Sequence, residues 1–317
     1  MSAYIFRRLL AMVPTVFLVT LVVFVLIRMA PGDPVLNEFG LEVEAETIEA
    51  RREELGLNRP IAVQYLDWVG RAFQGDFGRS IRARRPVVDE IKERLPATLQ
   101  LAGLAFVVSV IVSVPLGMLT AVYPKTLFAK LTTFFTLSSI SIPSFFVGTM
   151  LIYFFTYQWR IFETPRYVPF RDDPINNLRN LILPVLTLSY GLIAIWTRFI
   201  RSSVIESLGQ DYIRTAHAKG LTQWNVVFRH AFRNAMIPAI TLMSTSLAFL
   251  VSGSFITERI FNWPGLGRLS VTALLNRDFP VIQATIFVSA ISLCVANLLA
   301  DLLYAVADPR ISYVRRR

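Results

Sequence analysis

The sequence predicts an all-α membrane protein with six transmembrane helices and an extracytoplasmic helical insert between the first and second spans. Three observations carry this. Of 317 residues, 54% are apolar and the mean hydropathy is +0.52, more apolar than an ordinary soluble domain. The apolar residues gather in six stretches, each near the ~20 residues that cross a hydrocarbon core about 30 Å thick. Lysine and arginine gather beside alternate ends of those stretches, as the positive-inside rule requires of a multi-pass chain. The net charge of +10 is therefore mostly topology, and basic residues dispersed over several loops argue against a nucleic-acid partner.

The stretches are Leu9 to Ile27, Leu95 to Val122, Leu131 to Phe155, Leu181 to Thr197, Ala235 to Thr257 and Val281 to Ala300. The first follows Arg7 and Arg8, but its apolar core is about 19 residues long, and Met29-Ala30-Pro31 offers no small-x-small cleavage site. It is expected to be an uncleaved span, not a secretory signal. The fourth is shortest and extends through Arg198 and Phe199 if the arginine snorkels to the interface. Pro115, Pro143 and Pro184 lie within or near the ends of spans, where neighbouring helices can satisfy the freed carbonyls. The sole cysteine, Cys294, falls in the sixth stretch and reads as a small packing residue; it allows no internal disulfide.

Orientation follows from the charges. One set of flanks carries Arg7, Arg8, Lys125, Lys130, Arg198, Arg201, Arg214, Lys219, Arg229, Arg233, Arg310 and Arg315 to Arg317, against only Glu206, Asp211 and Asp308. The opposite flanks are nearly balanced. Both termini and the segment Asp211 to Pro238 are accordingly expected in the cytoplasm. The organisation predicted is a cytoplasmic N-terminus and first span over 1–30, an extracytoplasmic insert over 31–94, and a core of five spans over 95–317 that includes a cytoplasmic loop at 205–234.

In the insert, Leu41, Ala45, Ile48 and Leu55 fall on one face of an acidic helix that Gly56 can terminate, and Pro60 can open a second helix carrying Tyr65, Trp68 and Val69. Two short helices packed on the outer face of the membrane domain are expected, either as a docking surface or as a cover for the outer mouth. Before the last span, Glu258 to Leu269 reads ERIFNWPGLGRL. Pro264, Gly265 and Gly267 force a compact turn there, better suited to a structural re-entry loop than to direct substrate contact.

The segment Asp211 to Pro238, DYIRTAHAKGLTQWNVVFRHAFRNAMIP, is basic and amphipathic with one central glycine. Gly220 can adopt a left-handed conformation, and Thr222 is placed to cap the following helix. Trp224, Val227, Phe228, Ala231 and Phe232 recur at helical spacing, so the segment reads as helix, sharp turn, helix. It resembles the cytoplasmic loop of binding-protein-dependent ABC importer permeases in the peptide-group form D-Y-[IV]-R-T-A-x-A-K-G-L. Asp211, Tyr212, Ile213, Arg214, Thr215, Ala216, Ala218, Lys219, Gly220 and Leu221 match. The wider superfamily usually starts this loop with a glutamate where Arg214 stands, and later carries I-x-L-P where His230 to Arg233 stand. Both departures resemble the dipeptide and oligopeptide permeases. The resemblance extends along nearly the whole chain, through Arg28 to Pro34, Gly75 to Ser80, Arg94 to Leu99, the Glu258 block, Asn276 to Pro280 and Asp308-Pro309-Arg310.

Catalytic motifs are missing. The sequence has no G-x-x-x-x-G-K-[ST], dinucleotide fingerprint, H-E-x-x-H or G-x-S-x-G, so neither nucleotide hydrolysis nor nucleophilic catalysis is expected of this chain. His217 and His230 lack a ligand spacing and read as surface or interface groups. Within the spans, Asp301 is the clearest ionisable residue, near the inner end of the last one. Hydroxyls are plentiful, and Ser138, Ser141, Ser144, Ser244, Thr245 and Ser252 are candidates to line a translocation path, although bonding to their own helix is the commoner use of such groups. A conduit without fixed charges must keep a zwitterionic peptide hydrated, so tight recognition is expected on another protein.

The resemblance implies the rest. It implies the type I ABC importer permease fold in a bacterial or archaeal cytoplasmic (inner) membrane, and a heterodimer with a second homologous permease subunit. It also implies delivery of dipeptides or oligopeptides by an extracytoplasmic substrate-binding protein, and two cytoplasmic ABC ATPase subunits that bind ATP and Mg. No cofactor is expected in this chain itself. The loop residues Asp211, Tyr212, Arg214, Thr215, Ala216, Lys219, Gly220 and Leu221 would insert into an ATPase groove and convert its closure on ATP into rearrangement of the spans. Nickel or another small solute is the alternative cargo within the family, although nickel favours imidazole, thiolate or carboxylate ligands, and the spans supply only Cys294 and Asp301. A proton-coupled secondary transporter is the alternative from another class, but internal repeats and midplane ionisable groups are not evident.

Overall fold

The computed structural model describes residues 2–29, 45–54 and 56–307; within these helices, the side chains of residues 2–9, 45, 51, 54, 247–249, 251–253 and 300–307 lie outside the description. Every named element among the described residues is helical, and the only β-type pairing is one antiparallel bridge between Arg79 and Pro86. In chain order the helices are α1 (Ser2–Met29), α2 (Ala45–Glu54), α3 (Ile61–Phe73), α4 (Val87–Val122), α5 (Leu127–Ser141) and α6 (Ser144–Ile152), which continues as π-helix over Tyr153–Gln158. Then come α7 (Pro174–Leu208), α8 (Asp211–Ala218), α9 (Gln223–Asn225, continuing as π-helix over Val226–Ala231), α10 (Phe232–Gly253), α11 (Phe255–Ile260), α12 (Leu266–Leu275) and α13 (Phe279–Ala307).

Among the described residues, four single helices are long and apolar enough to cross a membrane: Leu10–Met29, Val87–Val122, Pro174–Leu208 and Phe279–Leu299. A fifth candidate is a bent pair, Leu127–Ser141 with Ser144–Gln158, turned by 107°. The third apolar stretch of the sequence, Leu131 to Phe155, is thus not one helix. Pro143 cannot donate a backbone hydrogen bond and disfavours helical geometry at the residue before it, and Ile142 sits at φ −97°, ψ 116°. Pro115 and Pro184, in contrast, lie within continuous helices. The fifth stretch, Ala235 to Thr257, is divided between α10 and α11 at Ser254.

The chain forms two compact units. One comprises Ser2–Thr98 with Pro264–Cys294, and the other comprises Leu99–Trp263 with the segment from Val295.

In the first unit, the helix starting after Pro60 is strongly amphipathic and buries Tyr65, Trp68 and Ala72. They pack with Phe24 of α1 and Phe287 of α13. The Tyr65 hydroxyl lies 2.8 Å from Thr20 Oγ1 and 2.9 Å from the Phe17 carbonyl oxygen, so the polar tip of a buried aromatic is satisfied by the first span. Gly56 has φ +66° and ends α2 as expected, with Leu57 N–H donating to Arg52 O. Ile48 is half-buried; Leu41, Leu55 and the Ala45 side chain lie outside the described residues. A second cluster joins Val87 and Ile91 of α4 to Leu266, Leu269 and Ala273 of α12 and to Val281, Ile282 and Ala284 of α13.

In the second unit α7 is the hub. Trp196, Ile200 and Val204 are fully buried against Ala121 of α4 and Ala235, Ala239 and Met243 of α10. Glycine permits two close helix crossings here, as small residues do in membranes. A Cβ on Gly117 would lie 2.7 Å from Ile200 Cβ and 2.9 Å from the Thr197 carbonyl oxygen, and one on Gly148 would lie 2.9 Å from Thr187 Cγ2. Trp263 is buried edge-on to Tyr167, with ring centroids 4.7 Å apart.

Candidate functional site: the loop centred on Gly220

The loop folds as helix, left-handed turn, helix. Gly220 N–H donates to His217 O at 2.9 Å, and Leu221 N–H donates to Ala216 O at 3.4 Å. This nested pair is the Schellman arrangement. It needs a left-handed residue, and Gly220 has φ +75°. Thr222 then opens α9 in an extended conformation (φ −62°, ψ 149°), but its side chain makes no capping hydrogen bond, which corrects the expected cap. Val226 N–H bonds the Thr222 carbonyl oxygen instead, at 3.0 Å.

Beneath the turn, Ile213 and Ala216 of α8 pack on Val226 and Ala231, with Leu208 of α7 at the margin. Ser207, on the last turn of α7, is buried. Its hydroxyl donates to Ala231 O at 2.9 Å and is also bonded to the Tyr212 hydroxyl. Since the serine proton goes to the carbonyl, the tyrosine is the donor to Ser207 Oγ. One hydroxyl thus ties α7, α8 and the π-helical segment together. Sequence reasoning missed Ser207, because a lone serine in an amphipathic helix carries no local signal.

The predicted loop residues do not all face the same way. Asp211, Tyr212, Arg214, Thr215, Lys219, Gly220 and Leu221 are exposed, and Ala216 is buried packing. The Arg214–Asp211 ion pair, at 3.4 Å and fully solvated, contributes little. Trp224 lies outside the buried base, unlike Val227 and Ala231 at the same helical spacing. It is 67% exposed and stacks on Phe228 with centroids 3.8 Å apart. The loop therefore presents a basic, partly aromatic ridge on a buried base. It can bind a surface, but it holds no constellation of acid, base and nucleophile.

The path hydroxyls are less coherent. Ser141 and Ser144 flank the break at Pro143 and are exposed, and Ser138 is half-buried. Ser244 is buried, and the exposed Thr245 bonds its own helix through Leu242 O at 2.9 Å. The side chains of Ser252 and Asp301 lie outside the described residues. Cys294 is buried, consistent with packing.

Two segments that the sequence left separate come together in the first unit. The buried Asp278 carboxylate accepts from Ser80 Oγ at 2.5 Å and from the Ile81 and Arg82 N–H groups at 3.2 Å each. Ser80 Oγ in turn accepts from Ala83 N–H at 2.9 Å. The end of this tongue is held by Arg85, bidentate to Glu93 at 2.9 and 2.7 Å. That hydrogen bonding raises the Arg85 guanidinium above its usual value. In the sequence Asp278 is only one residue of the Asn276 to Pro280 motif; its partners are about 200 residues away and leave no local pattern.

Residues 113–313 match the family described as binding-protein-dependent transport system inner membrane component, and residues 1–102 match its N-terminal counterpart. The chain is 40% identical over 313 residues to the glutathione transport system permease protein GsiC of Escherichia coli (strain K12), covering 99% of this chain and 100% of the relative. The same values hold for the proteins of that name from Shigella dysenteriae serotype 1 (strain Sd197) and Shigella flexneri serotype 5b (strain 8401). The chain belongs to the binding-protein-dependent transport system inner membrane component family, as the loop motif implied. It is the membrane-embedded part of such a system, not its ATP-hydrolysing part.

Proposed function

We propose that this membrane component forms half of the translocation path of an ATP-driven importer for di- or oligopeptides, and that the Gly220 loop is where the ATPases engage it. The observation that carries the coupling role is the loop itself: an exposed basic ridge set by a left-handed glycine and braced from below by Ser207. The peptide cargo is supported by the relatives, whose name assigns them glutathione, a tripeptide. Six spans follow if the bent α5–α6 pair crosses once and α10 crosses again beside the four single helices. Both termini and the loop then lie in the cytoplasm, on the arginine-rich side, and residues 31–94 lie outside, where a substrate-binding protein docks. A second homologous permease completes the path, and two ABC ATPases supply ATP and Mg.

The test is uptake by the assembled transporter in proteoliposomes, with radiolabelled glutathione, dipeptides and nickel offered in parallel. ATP-dependent accumulation of a short peptide is expected. Accumulation of nickel alone overturns the cargo, and ATP turnover by the isolated chain overturns the division of labour.

A further inference from the structure

On α7, Ile195, Arg198, Ser202 and Ile205 form a stripe facing away from the helix's own packing. With Phe199, Arg201 and Leu242 they line an open cavity of about 600 Å³. Arg201 is half-buried and donates to Thr133 Oγ1 of α5 at 2.7 Å, which fixes one edge of its guanidinium and leaves donors free. Arg198 is exposed. Among the described residues neither arginine has a carboxylate partner, and Arg198 has no hydrogen-bond partner either. Two guanidinium groups sharing one cavity without an anion between them repel each other, and a shared anion removes that cost.

Depth selects the anion. The apolar run Leu181 to Thr197 stops one residue before Arg198. The cavity therefore lies where hydrocarbon gives way to headgroups. Ile195, Phe199 and Leu242 are apolar walls beside the arginines, suited to the first segments of acyl chains. Arginine matches phosphate in a planar two-point contact, and basic pockets between membrane helices are where acidic headgroups settle. From this cavity and its charge we infer that the site formed by Arg198, Arg201 and Ser202 binds the phosphate of an anionic phospholipid. The lipid belongs to the cytoplasmic leaflet, which rests on the orientation proposed above. The site is unrelated to cargo chemistry. Its ligand wedges between α7 and α10, the two helices that flank the Gly220 loop, so the loop's base is anchored to the membrane surface.

The experiment is native mass spectrometry of the assembled transporter in detergent, titrated with phosphatidylglycerol or phosphatidylcholine. The wild type is compared with Arg198→Gln, Arg198→Lys and the double variant Arg198→Gln/Arg201→Gln. Preference for phosphatidylglycerol is expected to fall roughly thirtyfold in the double variant and several-fold in Arg198→Gln, with Arg198→Lys between that and the wild type. Among the described residues Arg198 has no partner to lose, so its variants remain folded and interpretable if the double variant does not. A separate arm adds inorganic phosphate: failure of millimolar phosphate to displace the lipid is expected of a site that needs acyl chains. Equal retention of both lipids by the wild type and Arg198→Gln overturns the proposal. So does full displacement by free phosphate, or displacement by glutathione, which would make the cavity part of the cargo path. None of these readouts depends on transport, so failure here leaves the importer assignment standing.

Discussion

Replacing Gly220 tests the loop at the point where its geometry admits one kind of residue. The backbone there has φ +75°, and a Cβ built on it meets nothing within 4 Å. The cost of a side chain is therefore conformational, not steric. A left-handed L-residue costs about 1–2 kcal/mol, and a β-branched one costs more because its Cβ substituents crowd the adjoining peptides. If the ATPases recognise only the observed turn, that cost reduces the binding-competent fraction in proportion. Gly220→Ala should then weaken ATPase association roughly five- to thirty-fold, and Gly220→Val further still. Gly220→Asn should stay near the wild type, since asparagine tolerates this region. The assay is equilibrium binding of purified ATPase subunits to the solubilised permease pair, with peptide uptake measured on the same preparations. Stability should barely differ among the three, because the loop is exposed. If valine, alanine and asparagine bind and transport alike, the turn is not the recognised feature and the coupling assignment is wrong.

Three further outcomes are expected. Gly117→Ala should destabilise the second unit by about 1–3 kcal/mol through overpacking, read as a lower unfolding temperature, because its Cβ would fall 2.7 Å from Ile200 Cβ; Gly103→Ala, with nothing within 4 Å, is the control and should be nearly silent. Asp278→Ala removes the shared acceptor of the Ser80 tongue and should cost about 1–3 kcal/mol locally, seen as faster tryptic cleavage at Arg79, Arg82 and Arg84; unchanged cleavage would show that the tongue is held by something else. A reporter fused near Gly220 should be cytoplasmic and one near Glu49 extracytoplasmic, and finding both on one side would sink the six-span arrangement.

Sequence reasoning reached what periodicity and turn chemistry encode. Gly56 and Gly220 both proved to be left-handed helix stops, and Tyr65 and Trp68 proved to be the buried face of a short amphipathic helix, because each depends on neighbours a few residues away. At Pro143, where a kink is expected within the third apolar stretch, the missing N–H and the restricted preceding residue do more and divide the stretch into two helices at 107°. Helical spacing alone does not say which of Trp224, Val227 and Phe228 is buried, and π-helical turns, which do not keep the 3.6-residue period, follow directly after Asn225. Ser207, Asp278 and Glu258 were beyond it for another reason. Glu258 was read as part of an outer turn, yet its side chain is fully buried and accepts from Ser254 Oγ at 2.8 Å. Ser207 and Asp278 act through partners 24 and 198 residues away, a pairing of which a single sequence holds no trace; the partner of Glu258 is only four residues away, and what the sequence hides there is the burial.

The coupling role finally depends on whether a push at the turn can reach the spans, and the packing bears on this directly. A flexible loop would absorb displacement in its own torsions. Here α8 packs through Ile213 and Ala216 on Val226 and Ala231, and Ser207, on the last turn of α7, bonds both Tyr212 of α8 and the Ala231 carbonyl oxygen. From Ser207 the chain is one continuous helix back to Pro174, about 52 Å long, and it is buried through Trp196, Ile200 and Val204 against α4 and α10. The glycine crossing at Gly117 leaves no slack for α7 to slide along α4, since Thr197 and Ile200 already occupy the space a side chain would need. Close-packed elements move as bodies because separating them forfeits contacts on every side. If the ATPases do engage the Gly220 ridge, this packing predicts that its displacement reaches α7 and α10 together, with the Ile142–Pro143 break, where no helical hydrogen bonds cross between α5 and α6, as the place for the unit to bend.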